Sequence, residues 1–407
     1  MDSKWEATPN EMGGSLTDER NMEQPDERSP APQATVYVEQ ITEEMGWRSV
    51  PDGNCIKGER RSDLGSAETA AARAALEESA YGRIKQVLRW YLSGFYKKPR
   101  GLKKPYNPIL GETFRCCWRH PQTDSCTFYI AEQISHSPPI SAFYISNRKD
   151  GFAISGSILS KSKFYGNSAS AILDGKAKLL FLNRNEEYVI TMPYAHCRGI
   201  LCGTMTLELG GKVSIECVKT RCFTKLEFKL KPLLGGSSSV NQISGKIFEE
   251  NKLMATIQGH WDREVFIHER HSGQQETLWN PNADIRSRRL KRRVVQMDQQ
   301  GEFESERLWQ HVTSAIMDRD QLRATQEKFV LEEAQRKEAK ERGDTPWTPR
   351  LFHQDSVTSE WTYKHRDSWP WDPENCLCQF EKDGVIQTQE RSQRKHNKLL
   401  CEFAVAD

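Results

Sequence analysis

Two short segments combine groups that bind phosphate with prolines that fix how those groups are presented. Glu132-Gln133-Ile134-Ser135-His136-Ser137-Pro138-Pro139 sets an imidazole and hydroxyls against a proline pair. Lys103-Lys104-Pro105-Tyr106-Asn107-Pro108-Ile109-Leu110-Gly111-Glu112 sets cations and an amide among further prolines. Proline removes a backbone donor and holds the preceding residue extended, so His136 and the Lys104/Asn107 pair are aimed in fixed directions. Imidazole donates to a phosphate oxygen, and does so as a cation where a dianion raises its pKa. Plainer alternatives stay open from these residues alone. A single histidine in β-rich sequence is commonly a satisfied core or surface residue, and a Lys-Lys pair is commonly a solvated turn. Tyr106, Ile109 and Leu110 argue instead for a loop anchored on apolar surface.

A third group lies far downstream. Lys328, Glu332 and Arg336 recur at i, i+4 and i+8 and stack along one face of a predicted helix. Such a ladder is either a row of solvated ion pairs, worth about 0.2–0.5 kcal/mol each, or a pair of cations oriented by Glu332 to clamp a phosphate. Nucleophilic catalysis fits poorly. Ser135, His136 and Ser137 are adjacent, so neighbours on a strand point to opposite faces, and no Gly-x-Ser-x-Gly elbow exists. No phosphate-binding Gly-rich loop or dinucleotide fingerprint occurs, and Gly199, Gly203, Gly210 and Gly211 read as barrel turns. Cys116-Cys117 and Cys376-x-Cys378 lack a second pair at zinc spacing.

The elements that must position these groups follow from periodicity. Residues 1–66 are rich in Glu, Asp, Pro, Ser and Gly without a sustained period and read as a disordered segment. Ile84, Val87, Leu88, Tyr91 and Phe95 form one face of an amphipathic helix, stopped around Lys98-Pro99 and Gly101. From about Thr113 to Trp261 the period is two. Thr127-Phe128-Tyr129-Ile130, Ala142-Phe143-Tyr144-Ile145, Phe152-Ala153-Ile154, Lys178-Leu179-Leu180-Phe181-Leu182 and Tyr188-Val189-Ile190 are short strands. Lys149-Asp150-Gly151, Asp174-Gly175 and Gly210-Gly211 are turns between strands. Successive strands without intervening helices predict an antiparallel meander closing into a barrel. From Ser305 on, Leu308, Val312, Ile316, Leu322, Phe329, Val330 and Ala334 predict one or two helices ending at Gly343-Asp344. Aromatic, Pro-punctuated sequence around Trp347, Trp361, Tyr363, Trp369 and Trp371 predicts an extended flap on the barrel.

Bulk properties narrow the function classes. The 58 basic and 56 acidic residues leave a net charge of +2, so an anionic partner must be met by a local patch and nucleic acid is not expected. The densest patch is Arg286, Arg288, Arg289, Lys291, Arg292 and Arg293, suited to nuclear import or to an anionic membrane. A mean hydropathy of −0.73 fits a soluble chain. No run approaches the ~18 apolar residues of a membrane span, and the first residues are not a secretory signal. Eleven irregularly spaced cysteines point to the reducing cytosol.

Taken together, these motifs resemble the lipid-exchange domain of the oxysterol-binding-protein-related family. Seven of the eight places in its Glu-Gln-Val-Ser-His-His-Pro-Pro signature match if Ile134 stands for Val. Its Lys-Pro-x-Asn-Pro loop matches at Lys104 and Asn107, and its late ladder matches at Lys328, Glu332 and Arg336. Lys163-Phe164-Tyr165-Gly166-Asn167 and Pro193-Tyr194-Ala195-His196-Cys197 are similar to one branch, which carries phosphatidylserine from endoplasmic reticulum to plasma membrane in exchange for phosphatidylinositol 4-phosphate. The resemblance implies a mainly β fold with flanking helices (α+β). It would be a large incomplete antiparallel β-barrel enclosing a lipid tunnel, with an N-terminal helix and C-terminal helices plus the flap. It also implies a non-enzymatic role without a cofactor, and headgroup binding by Lys104, Asn107, His136, Ser137, Lys328, Glu332 and Arg336.

Three departures bear on that expectation. Ser137 replaces the second signature histidine and keeps a donor but no cation, a loss of about 1.5–3 kcal/mol if it removes one charge-assisted bond to phosphate. Residues 40 to 75 show no apolar lid sequence. An upstream pleckstrin-homology domain and a terminal membrane-spanning helix are not found, which predicts a shortened form unable to tether two membranes unaided. The expected organisation is a disordered segment 1–66, a lipid-binding barrel 67–390 and a flexible basic tail 391–407. The expected ligands are phosphatidylserine and phosphatidylinositol 4-phosphate, with peripheral contact to anionic membranes and a cytoplasmic location at endoplasmic reticulum–plasma membrane contacts. Sterol exchange and a transfer-incompetent regulatory form are the alternatives, with a hydrolase a distant third.

Overall fold

The computed structural model describes residues 74–96, 106–121, 123–232, 234, 236–287, 290, 293–294 and 297–366. The expected boundaries at 66–67 and 390–391 lie outside them, as do Lys104, Trp369, Trp371, Arg288, Arg289, Lys291 and Arg292.

Helix α1 (Ala80–Leu92) starts at Ser79, whose Oγ accepts the N–H of Gly82 at 3.0 Å. Ile84, Val87, Leu88, Tyr91 and Leu92 bury its apolar side, each worth roughly 1.5–3 kcal/mol on the scale of a fully buried side chain. The helix stops earlier than Lys98-Pro99. Ser93 turns back on it, its N–H reaching the carbonyls of Arg89 and Trp90 and its Oγ donating to Trp90 O. Phe95 therefore lies in the turn beyond, edge-on to Phe228 with ring centroids 5.3 Å apart.

The first sheet strands are β1 (Thr113–His120), β2 (Ser125–Ser135), β3 (Ile140–Asn147), β4 (Phe152–Phe164), β5 (Ser168–Phe181), β6 (Glu186–Ile190) and β7 (Tyr194–Arg198). There follow β8 (Thr206–Cys217), β9 (Cys222–Lys229), β10 (Gln242–Glu249), β11 (Lys252–His260), β12 (Val265–Glu269), β13 (Gln275–Trp279) and β14 (Arg293–Val294). They form one antiparallel sheet in the order β13-β12-β11-β10-β9-β8-β6-β5-β4-β3-β2-β1-β14, with β7 pairing both β5 and β8. Strands β13 and β14 are its unjoined edges among the described residues, so the barrel is incomplete. Along β9, Cys222, Thr224, Leu226 and Phe228 are buried while Lys225, Glu227 and Lys229 are exposed, which gives the sheet one apolar face to wrap inward. One apolar cluster runs from Trp118 through Phe181 and Tyr188 to Ile267 and Trp279, and takes in the buried side of α1.

Two expected turns lie inside strands. Asp174-Gly175 is in β5, where a Cβ on Gly175 would stand 2.2 Å from Ser157 O of β4. That glycine marks a close backbone approach, not a reversal. Gly210-Gly211 is in β8, where pairing passes from β7 (Tyr194 with Gly210) to β6 (Ile190 with Ile215), and Gly211 takes φ +110° to bend the strand. The β region also continues past Trp261 to Trp279.

Beyond the barrel come a helical turn (Ser305–Leu308), α2 (Gln310–Met317) and α3 (Gln321–Arg342). Val312 is buried, whereas Leu322, Phe329 and Val330 are exposed, so α3 does not bury the stripe that its periodicity predicts. The expected flap includes a hairpin, β15 (Phe352–Gln354) with β16 (Trp361–Tyr363), covering the outer face of β2–β4. Tyr363 stacks on Tyr144 with centroids 4.9 Å apart. This cover explains why β2 is buried on both faces, with Phe128 and Ile130 under the hairpin.

Antiparallel pairing sorts the connections to two ends. One end gathers the start of β1, the β2–β3 turn at 136–139, the β4–β5 turn at 165–167, the β7–β8 loop at 199–205 and the connection after β9. The other gathers the β1–β2 turn at Thr123-Asp124 and the turns at 148–151, 182–185, 218–221 and 250–251.

Candidate functional site

The loop 106–112, at the first of these ends, is pinned from two sides. Toward the sheet, Gly111 N–H donates to Gln133 O and Gln133 N–H donates to Glu112 O, both at 2.8 Å. Toward the helices, Leu110 N–H donates to Gln335 Oε1 at 2.7 Å, and Tyr106 OH lies 2.9 Å from Thr313 Oγ1. Glu112 Oε2 accepts from Ile109 N–H at 2.9 Å and Trp309 Nε1–H at 3.0 Å. Ile109 joins Trp309 and Val312 in a small apolar cluster against which Leu331 packs, which supplies the anchoring expected of this loop. Gly111 takes φ +81° with the Trp347 ring against it, where a Cβ would stand 2.5 Å from the indole. Asn107 is half-buried near the start of the loop.

The 132–139 segment divides in two. Glu132 is buried, and its two oxygens accept the N–H groups of Arg350 and Leu351 at 2.7 Å each, tying the approach to the flap onto β2. Burial pushes its carboxyl pKa up, against the opposing pull of those donors and of nearby Lys364 and Arg350. Gln133 accepts from Ser141 Oγ and donates to Ser135 O, closing the end of the hairpin. Ile134 is core. His136 and Ser137 then emerge as an exposed turn, followed by a cis Ser137–Pro138 bond.

On α3, Glu332 sits between Lys328 Nζ at 3.6 Å and Arg336 Nη2 at 3.9 Å, and Arg336 also pairs with Glu333. Glu332 acts across the gap to the β2–β3 turn as well. The His136 ring keeps solvent contact, yet the protein packed round it lowers its pKa, and Glu332 is near enough to oppose that shift. Asn107, His136, Ser137, Lys328, Glu332 and Arg336 are therefore brought to one end of the barrel. Their frame rests on three residues that motif reading misses: Glu112, Gln335 and Trp347. Glu112 closes the proline-rich motif and Gln335 lies seven residues after Lys328 on the ladder helix, so both carry a positional signal. Trp347 carries none beyond being one of several tryptophans near the flap.

A family model described as oxysterol-binding protein matches residues 68–319. The chain belongs to the oxysterol-binding protein family. This family member is 65% identical over 319 residues to human oxysterol-binding protein-related protein 5, and 64% identical over 320 residues to human oxysterol-binding protein-related protein 8. Each match covers 78% of this chain but 36% of the relative, so the chain spans about a third of the length of these curated relatives. Among solved structures, that of the Osh3 ORD in complex with PI(4)P from Saccharomyces cerevisiae superposes with a TM-score of 0.57 at 19% identity. The match covers 78% of this chain and 84% of that one, and shows the same fold. No helix among the described residues is long and apolar enough to cross a membrane.

Proposed function

We propose that this chain carries one phospholipid at a time between membranes, exchanging phosphatidylserine for phosphatidylinositol 4-phosphate between endoplasmic reticulum and plasma membrane. The observation that carries this reading is the meeting, at one end of an apolar-lined barrel, of the Asn107 loop, the His136–Ser137 turn and the Lys328–Glu332–Arg336 ladder. A phosphate seated there accepts bonds from His136 and Ser137 and draws Lys328 and Arg336 away from Glu332, which holds the two cations in place while the site is empty. Lys104 adds a further cation to the motif loop. Acyl chains supply the bulk of the affinity, at about 0.8 kcal/mol per buried methylene, and the headgroup contacts select among lipids. The description of the Osh3 relative, in complex with PI(4)P, supports the phosphoinositide half of the exchange. No covalent bond is made or broken in this cycle; direction comes from a phosphoinositide gradient between the two membranes.

Mass spectrometry of lipids that co-purify with the chain, paired with transfer between donor and acceptor liposomes, tests this. The expected result is phosphatidylserine or phosphatidylinositol 4-phosphate bound one per chain, with each accelerating net transfer of the other. A bound sterol, or a chain that carries no lipid and moves none, contradicts it.

A further inference from the structure

The barrel end that holds the candidate site also carries a crest of exposed apolar side chains. Strand β4 does not stop beside Ile140, where β3 begins; past Ser160, whose N–H still bonds Pro139 O, it runs on to Phe164 paired with β5 alone. At about 3.3 Å per residue, this carries the β4–β5 turn roughly 13 Å past Pro139 of the β2–β3 turn, in the direction that turn faces along the sheet. At its tip, Phe164 and Tyr165 are 64% and 59% exposed. The neighbouring β7–β8 loop adds Leu201, 74% exposed, and Met205.

Asn167 welds these two connections into one surface. Its side-chain oxygen accepts the N–H groups of Leu201 and Cys202 at 2.9 and 3.0 Å, and its amide donates to Cys202 O at 2.9 Å. Its backbone carbonyl accepts the N–H groups of Gly199 and Ile200. Four large apolar groups are thus held out in water by a hydrogen-bonded frame, where a soluble surface gains nothing from them. Farther round the same end, the connection after β9 presents Leu234, also exposed. Charge around the crest is one-sided. No acidic residue occurs in 160–173, 195–207 or 229–241, whereas Lys161, Lys163, Arg198, Lys229 and Lys231 do. At the base of the crest Asp174 pairs with Lys161 and Glu208 with Arg198, and farther round the same end Asp262 accepts from the Asn241 amide.

We propose that this crest is where the protein docks on an anionic bilayer, Phe164, Tyr165 and Leu201 entering the headgroup–acyl boundary while Lys163, Lys229 and Lys231 face the lipid phosphates. Docking there lays the bilayer across the same end of the barrel as His136, the end through which a lipid headgroup would be received. The inference rests on the lipid-carrier reading for its choice of a membrane as the occupant. Aromatic and aliphatic tips with flanking cations, and without acids, match a lipid surface better than they match an acidic protein, whose contacts would not need unpaired apolar tips.

Flotation of the full chain with protein-free vesicles of phosphatidylcholine containing roughly a third phosphatidylserine tests it, since that composition supplies the anionic surface potential. The expected result is that Phe164→Asp with Leu201→Asp lowers the vesicle-bound fraction at least about tenfold, the loss of two inserted side chains. Val218→Asp, at an exposed apolar position of the opposite barrel end, should leave it unchanged. Binding of a water-soluble short-chain phosphatidylinositol 4-phosphate, measured without a bilayer, should be the same in all three chains. A fourth chain separates the two readings: a His136→Ala variant that still floats but binds the short-chain lipid roughly ten- to a hundredfold more weakly supports both. Undiminished flotation of the Phe164/Leu201 variant, an equal loss in Val218→Asp, or failure of the unmodified chain to float would overturn the docking proposal. Unchanged short-chain binding by His136→Ala would overturn the headgroup reading and leave docking standing.

Discussion

The two ends of the barrel are built from the same kind of strand connection but are finished in opposite ways. The end away from the candidate site closes its polar groups on one another. Asn147 Nδ2 lies 2.9–3.0 Å from Ser125 Oγ, Thr127 Oγ1 and Asp150 Oδ2, Ser125 Oγ donates to Asp150 at 2.7 Å, and His120 Nε2 is 2.8 Å from Thr127 Oγ1. Nearby, Arg83 grips Glu186 through two bonds of 2.8 Å and fixes the approach to α1 with a third and fourth to the carbonyls of Glu77 and Glu78. The site end instead leaves groups outward: an exposed His136–Ser137 turn, a ladder of cations around one carboxylate, and apolar tips at Phe164 and Leu201. One end has committed its hydrogen-bonding capacity to stability, while the other leaves polar and charged groups facing outward.

That contrast can be broken or sharpened by substitution. The largest effect belongs to the closed end. Arg83→Ala leaves Glu186 buried without its cation and should cost about 3–5 kcal/mol of unfolding free energy. Chemical denaturation measures this, and a loss below ~1 kcal/mol would mean the pair is surface-like. Next, His136→Ala should leave the denaturation midpoint unchanged while weakening phosphatidylinositol 4-phosphate extraction from liposomes roughly ten- to a hundredfold, the worth of one charge-assisted bond. Equal damage to stability and extraction would erase the distinction between the ends. A smaller gain is expected from Ser137→His, which restores a possible cation on the open turn. It should tighten phosphoinositide binding by up to about tenfold, as a partly solvated ion contact allows; no change would show that this position does not face the phosphate.

The smallest effect is a slope. Burial lowers the pKa of His120 below its ordinary 6.5, with Asp150 opposing. The folded chain therefore binds fewer protons than the unfolded chain between that lowered value and 6.5, so stability should fall as pH falls through this window. His120→Gln should flatten that part of the thermal stability–pH curve without altering lipid binding. A curve unchanged by the substitution would remove His120 from the closed network.

Much of this is legible in the sequence, for identifiable reasons. Strand alternation such as that of Cys222–Lys229 reports which face is buried, and it locates the barrel. The proline motifs locate the Asn107 loop and His136 turn because proline constrains its neighbours wherever it stands. Glycine signals less, since a reversal and a close strand approach both require it; Gly175 is of the second kind, and Gly211 bends a strand that continues. The apolar residues of α3 mislead because periodicity says which side is apolar, not whether anything covers it, and Phe329 and Val330 remain exposed. Gln335 bonds a backbone amide 225 residues away, and Trp347 meets a glycine with no side chain to pair with. Contacts to backbone leave no complementary residue type for a motif to reveal.

The central claim is that a single phosphate is held at the open end by groups from the β2–β3 turn and α3. Imidazole signals followed by NMR through a pH titration, with and without short-chain phosphatidylinositol 4-phosphate, test it most directly. His136 is expected to titrate below the ordinary histidine range in the free protein and to move upward when the dianion binds, while His120 does not respond. A His136 titration that is the same in the presence of saturating ligand would contradict it.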